Sequence, residues 1–117
     1  MTIIYMRNVE GQPNMRALTQ PLLCPMIDGS IHAIPIDFSW DGSSVPFIFQ
    51  GIFPRHRHPA ASCKHDYRCG EAKNKADRKF ADDKFSDDVR TTSWWITAAI
   101  GYSGVRIGAF FGVGSNF

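Results

Sequence analysis

Apolar and polar positions alternate near the N-terminus of the chain and recur at helical spacing farther along it. Residues 2–6 are rich in β-branched side chains and precede a polar Gly-Gln-Pro-Asn stretch, which predicts a short strand that ends in a turn. Asp28-Gly29 is a turn signal, and the alternation from Ile31 to Ile36 predicts a second strand after a hairpin turn. The prolines of this segment place that strand at the edge of a sheet.

A long loop is predicted over residues 37–59. Its breakers exclude regular structure of any length; they are Gly42, Pro46, Gly51, Pro54 and Pro59. Loops of this length are uncommon inside compact domains and often carry function. The loop is therefore a first indication of where a site lies.

Helical spacing begins after the loop. Pro59 suits the first turn of a helix that continues from Ala60 to Cys69, and Gly70 is placed to end it. A second helix is predicted from Ala72 to Val89. Its buried stripe is Ala76, Phe80, Phe85 and Val89, whereas Asp82, Asp83, Asp87 and Asp88 are expected to face elsewhere.

A third helix is predicted to begin near Trp94, capped by residues 91–93. The mostly apolar stretch from Trp94 to Val113 is about long enough to span a bilayer. Arg106 and four glycines favour a core helix over a membrane-touching one. The pattern as a whole predicts an α+β fold: short N-terminal β-strands with a hairpin, a long loop, and three helices of which the first two are antiparallel.

Length and composition narrow the class of protein. A chain of 117 residues fits one domain over residues 1–117, and 44% hydrophobic with 21% charged residues is an ordinary globular composition. The net charge of +2 is too small to indicate a nucleic-acid partner. Three cysteines favour a reducing compartment, and the first residues carry no recognisable signal peptide.

The candidate chemistry lies at His65-Asp66 and at Asp77. If the first two helices pack antiparallel, the imidazole of His65 and the carboxylate of Asp77 can meet, and the carboxylate would orient the ring as a general base. Asp66 projects about 100° around the helix from His65 and can hold a hard cation. The loop around Asp41 and Gly42 can supply further oxygen ligands, which suits calcium best.

A simpler interpretation stays open from the spacing alone. His65 and Asp77 would then only tie two helices together, and Asp66 would act as a cap or pair with Lys64 or Arg68 on the surface.

Three motifs carry a resemblance to a known family. They are D-G-S-S-V-P at 41–46, A-A-S-C-K-H-D-Y at 60–67 and A-D-R-K-F at 76–80, with matching ends at 34–38 and 105–108. The chain resembles, over about three quarters of its length, a small family of uncharacterised phage and prophage proteins. That family shares V-P-x-G-F-x-T-D-G-A-S-x-P, A-A-x-x-H-D-x-x-Y, A-D-x-x-F and V-R-x-x-G. The tyrosine of the second motif is Cys69 here.

The His-Asp pair followed by an Asp on the next helix is similar to phospholipase A2 enzymes, including the disulfide-poor forms of parvovirus capsids and some bacteria. This resemblance implies that His65 deprotonates a water, that Asp77 orients His65, and that Asp66 holds Ca²⁺ with loop carbonyls around Asp41 and Gly42. The glycine-rich calcium loop of those enzymes is not reproduced residue for residue. An apolar rim for acyl chains is expected from Phe47, Phe49, Phe53, Trp94 and Trp95.

Three functions follow as expectations. The first is a phage-encoded, calcium-dependent lipid or ester hydrolase that acts on phospholipid or a membrane surface. The second is a non-catalytic virion or tail protein that assembles with other virion proteins through its Gly- and Phe-rich end. The third, ranked last, is a phosphohydrolase with a transition metal on His56, His58, His65 and Asp66. The resemblance implies synthesis in the host cytoplasm, with association with the virion as a further expectation.

Overall fold

The structure, a computed structural model, describes residues 4–41, 59–90, 102, 105 and 106, without the side chain of Asn14. In these ranges the strands come first and the helices last, which confirms the predicted α+β fold. The strands are β1 (Met6–Val9), β2 (Gln12–Leu18), β3 (Leu22–Pro25), β4 (Ile31–Ile34) and β5 (Ser39–Trp40). The helices are α1 (Pro59–Glu71) and α2 (Lys75–Arg90).

The strands form two antiparallel sheets. The first has the order β1-β2-β5, with Arg16 opposite Trp40 and Ala17 opposite Ser39. The second is the hairpin β3-β4, which turns at Asp28-Gly29 as predicted; Gly29 has a φ of 85° there, which glycine adopts without strain.

The first hairpin differs from its prediction. β1 begins at Met6, where the predicted strand ends, and the turn is formed by Glu10-Gly11 with a φ of 75° at Gly11. Of the stretch predicted as a turn, Gly11 lies in the turn and the three residues after it open β2. Pro13 is tolerated in that strand because the register shifts between Asn8 and Val9 of β1, which leaves a bulge where a backbone N–H is not needed.

The limits of both helices are close to those predicted, except at the end of α1 and the start of α2. Gly70 lies inside α1, which continues to Glu71. α2 begins at Lys75 instead of Ala72, because the side chain of Asn74 accepts a hydrogen bond from Asp77 N at 2.9 Å and so caps the helix. The helices are antiparallel, as predicted: Ala61 lies near Val89 at one end and Arg68 lies over Phe80 at the other.

α1 lies between the strands and α2. On the strand side Cys63 joins a buried cluster with Leu18, Leu22, Cys24, Ile34 and Trp40. On the other side Ala61 packs with Phe85, Val89 and Val105. Small side chains such as Ala61, Ser62 and Cys63 let both layers approach α1 closely. The candidate functional residues of α1 therefore face closely packed neighbours.

The predicted third helix falls mostly outside the described residues. Tyr102, Val105 and Arg106 are helical, and Val105 is buried in the core. Among the described residues, the helices are too short or too polar to cross a bilayer.

A buried hydrogen bond fixes β5 to α1, and its removal is expected to destabilise the fold. Trp40 Nε1 donates to Ser62 Oγ at 3.1 Å, and both residues are almost fully buried. Ser62→Ala would leave the indole N–H without its acceptor, at a cost of about 1–3 kcal/mol in the free energy of unfolding. Urea unfolding measures this cost, with Ser86→Ala on α2 as the matched control. Equal effects of the two substitutions would contradict the assignment.

Candidate functional site

A histidine on α1 meets a carboxylate on α2, but the carboxylate is Asp82. His65 Nε2 lies 2.7 Å from Asp82 Oδ1, and the imidazole also tilts against the ring of Phe85. His65 is 8% exposed and Asp82 is fully buried. The predicted pairing of an imidazole with a carboxylate on the following helix therefore exists, with a different second member.

Asp77 forms its hydrogen bonds at the start of α2. Its Oδ2 accepts a hydrogen bond from Lys73 N at 2.9 Å, and its own N–H donates to Asn74. Asp77 thus completes the cap of α2, where a negative charge also interacts favourably with the helix dipole. Within the described residues no hydrogen bond or ion pair joins it to His65. The prediction that Asp77 orients His65 is wrong because the helix begins at Lys75, so Asp77 lies in its first turn.

Asp82 lies on the buried face of α2 although it was expected to face elsewhere. That face consists of Arg78, Ala81, Asp82, Phe85 and Val89, whereas Ala76 of the predicted stripe is exposed. The signal that could have identified Asp82 is its spacing: it precedes Phe85 by three residues and Val89 by seven, and Arg78 lies four residues before it.

Two arginines share the buried carboxylate with His65. Arg78 Nε lies 3.1 Å from Oδ1 and 3.4 Å from Oδ2 of Asp82, and Arg106 Nη1 donates to Oδ2 at 2.8 Å. Cys69 Sγ lies 3.5 Å from His65 Nε2 and completes the surroundings of the ring. Because a buried carboxylate is costly without compensating charge, these contacts explain how Asp82 is accommodated.

The other ring nitrogen faces the carboxylate of Asp66. His65 Nδ1 lies 3.8 Å from Asp66 Oδ1, and the side chain of Asp66 is 30% exposed. Burial raises the pKa of Asp66, the adjacent His65 lowers it, and the charge of the nearby Asp41 raises it again, so that the net direction is upward. Arg68, which the simpler interpretation pairs with Asp66, is buried, and its Nε donates to the carbonyl of Pro25. The carboxylate on the Nδ1 side of His65 is therefore that of Asp66, within the electrostatic reach of Asp41.

The ring of His65 favours its charged form. Burial disfavours the charge, but the carboxylates of Asp66 and Asp82 outweigh this effect and raise the pKa of His65 well above its usual value. His65 can act as a general base only in its neutral form. The rate of a reaction that uses Nδ1 as the base should therefore rise with pH.

Two sets of donors could be considered for a metal ion. One donor atom each from His65, Cys69 and Asp82 lies within 4.8 Å of the others, but the arginines bound to Asp82 repel a cation there. Asp66 and Asp41 offer carboxylate oxygens, the ligands that Ca²⁺ prefers, and the charge of Asp41 acts on Asp66. The donor chemistry of Asp41 and Asp66 fits the predicted cation better.

A family model described as protein of unknown function (DUF1353) matches residues 16–105. The chain belongs to this family. No curated protein and no solved structure matches the chain. In this DUF1353 protein the matched region runs from β2 to Val105 and contains His65, Asp66 and Asp82.

Several predicted site residues of the DUF1353 protein lie outside the described residues. They are the loop ligand Gly42, the rim residues Phe47, Phe49, Phe53, Trp94 and Trp95, and the histidines His56 and His58 of the phosphohydrolase alternative. Asp77 lies at a separate cavity of about 250 Å³ between the β3-β4 turn and the α1-α2 connection, with Arg68 and Phe80 among its lining residues. His65 does not line that cavity, so Asp77 and His65 belong to different places.

Stability measurements distinguish the roles of the two aspartates. Asp82→Ala would leave the buried guanidinium of Arg78 without its carboxylate and should lower the free energy of unfolding by about 3–5 kcal/mol. Asp77→Ala removes only part of a helix cap and should cost about 1 kcal/mol. Urea unfolding of both variants tests the ranking, and an Asp77 variant less stable than the Asp82 variant would refute it.

The raised pKa of His65 predicts a pH dependence of stability. Because the folded-state pKa exceeds the unfolded-state value of about 6.5, protonation favours the folded state. The contribution is complete below that value and is lost as the pH rises through the folded-state pKa, with a slope of at most about 1.4 kcal/mol per pH unit. The free energy of unfolding of wild type minus that of His65→Gln, measured in chelator, should shrink with rising pH. A constant difference would show that the ring does not gain a proton on folding.

Proposed function

We propose that this DUF1353 protein is a phage-encoded, phospholipase A2-like hydrolase of lipid or ester bonds that uses His65 with Asp82 and calcium. The observation that carries the proposal is that the two imidazole nitrogens of His65 have different surroundings. One nitrogen is held at 2.7 Å by a buried carboxylate, and the other faces a partly exposed carboxylate on the same helix. A general base needs one nitrogen held in place and the other able to take up a proton.

The tautomer follows from the hydrogen-bond partners. An ionised carboxylate only accepts hydrogen bonds, so the contact with Asp82 requires a proton on His65 Nε2. In the neutral ring Nδ1 then carries the lone pair and can take a proton from a water that attacks an ester carbonyl. Asp82 stabilises the imidazolium that results, and the same ring can return the proton to the leaving alkoxide.

Asp66 and Asp41 would hold the calcium ion, with Gly42 expected to contribute a backbone carbonyl. When bound, calcium would polarise the ester carbonyl and stabilise the negative charge that develops on its oxygen. Burial chiefly raises the pKa of Asp66 and the charge of Asp41 adds to this effect, which supports the assignment of both carboxylates to one cation. The aromatic side chains Phe47, Phe49, Phe53, Trp94 and Trp95 would then form the rim that contacts acyl chains.

The biological setting of the proposal follows the resemblance to phage and prophage proteins. The hydrolase would be made in the host cytoplasm and would act on a phospholipid surface, to breach an envelope when the phage infects or lyses its host. Association with the virion belongs to the same proposal.

Hydrolysis of a fluorogenic phospholipid by the purified protein tests the proposal. Turnover should require calcium and stop in chelator, and His65→Gln should lower kcat by about 10²–10⁴-fold because it removes the base. Asp82→Asn should also lower kcat, because an amide can no longer stabilise the imidazolium.

The matched control in this assay is Asp77→Asn, which alters an aspartate of the same helix at its cap. It should keep wild-type kcat. No calcium-dependent turnover by the wild-type protein, or full activity of His65→Gln, would refute the hydrolase.

A second candidate function is a non-catalytic virion or tail protein. The observation that favours it is an apolar face on the β3-β4 hairpin, where Leu23 is 65% exposed and Ile31 is 64% exposed, beside the exposed residues Pro25 and Ala33. Such faces often mark interaction sites. This function predicts a folded protein that shows no turnover in the same assay.

A further inference from the structure

The carboxylate that holds His65 is itself held at both oxygens. Its shortest contacts are to His65 Nε2 on Oδ1, at 2.7 Å, and to Arg106 Nη1 on Oδ2, at 2.8 Å. A rotation of the carboxylate about its Cβ–Cγ bond would lengthen both contacts together. The carboxylate orientation that places Oδ1 near His65 is therefore the same one that places Oδ2 near Arg106.

Arg78 also contacts both oxygens of Asp82, at longer distances. Its Nε lies 3.1 Å from Oδ1 and 3.4 Å from Oδ2, against 2.7 Å for His65 and 2.8 Å for Arg106. Its Nη2 group donates to the carbonyl of Val105 at 3.1 Å. Arg78 therefore joins the carboxylate to the backbone that carries Arg106.

Val105 fixes the place from which Arg106 reaches the site. Its side chain is buried with Ala61, Phe85 and Val89, between α1 and α2. Because the next residue follows one peptide unit later, the guanidinium of Arg106 enters beside Asp82 from a segment that belongs to neither helix. The side chain of Arg106 is 37% exposed, whereas that of Asp82 is fully buried.

We propose that Arg106 is a positioning residue: it holds Asp82 Oδ2 so that Oδ1 accepts from His65 Nε2, and in this way it orients the imidazole from a third segment of the chain. The kinetic consequence rests on the proposed function. The orientation of the ring does not, and it can be measured without any substrate.

The kinetic test compares substitutions at Arg106 with one at Lys79. Arg106→Met and Arg106→Gln should each lower kcat for the phospholipid by about 10–100-fold with little change in KM, the usual effect of removing a group that orients a functional side chain. Arg106→Lys should recover part of the loss, because an ammonium can still donate to Oδ2. Lys79→Met is the matched control: it removes an exposed cation of α2 that pairs with Asp83, and it should keep wild-type kcat.

The substrate-free test is the NMR signal of the imidazole Nε2 proton. In wild type this proton lies in a buried hydrogen bond, so its resonance should be sharp and protected from exchange with water. The resonance should broaden or vanish in Arg106→Met and Arg106→Gln and persist in Lys79→Met. Circular dichroism establishes which variants fold, and either neutral variant that folds is decisive.

The outcomes separate the two proposals. A neutral Arg106 variant with an unchanged Nε2 resonance would overturn the positioning role, whether or not the protein hydrolyses lipid. Loss of the resonance in these variants, with an inactive wild type, would support the positioning role and refute the hydrolase.

Discussion

A carboxylate with no exposure to water has to find its compensating charges inside the fold, and the site of this protein is arranged around that requirement. Asp82 lies where α1, α2 and the segment of Val105 and Arg106 meet, and each of the three supplies a partner. The desolvation of an unpaired charge would cost several kcal/mol, so the three segments are most stable when all contacts form together. The site and the tertiary packing are therefore one set of interactions.

This arrangement gives the two sides of His65 different chemistry. On the Nε2 side the carboxylate is neutralised by guanidinium groups, so the nearby thiol and imidazole do not form a favourable cation site in spite of suitable donor atoms. On the Nδ1 side, burial is the main cause that raises the pKa of Asp66, and the charge of Asp41 adds to it. The two nitrogens of His65 therefore face carboxylates that differ in exposure and in compensating charge.

The sequence was sufficient for the elements whose signals are local. The Asp28-Gly29 turn, Pro59 at the start of α1 and the antiparallel helix pair all follow from short-range preferences. It was insufficient for Asp82, because hydrophobic periodicity assigns a charged residue to the solvent side of a helix. The error came from taking Ala76 as buried. The cap at Asn74 starts α2 three residues later than expected, and Ala76 is then exposed in the first turn. Only tertiary contacts bring Arg106 to Asp82, and no local pattern encodes them.

The charge of Asp82 is compensated by residues other than Cys69, which lies beside His65. Its thiol is a weak donor and lies 3.5 Å from His65 Nε2. Two guanidinium groups supply stronger, charge-assisted hydrogen bonds to Asp82, one from its own helix and one from the C-terminal Val-Arg pair. The carboxylate is thus supported by α2 and by the C-terminal segment as well as by His65 of α1. A small side chain at Cys69 is therefore compatible with the site. The Val-Arg pair has a physical role there, because Arg106 donates to Asp82.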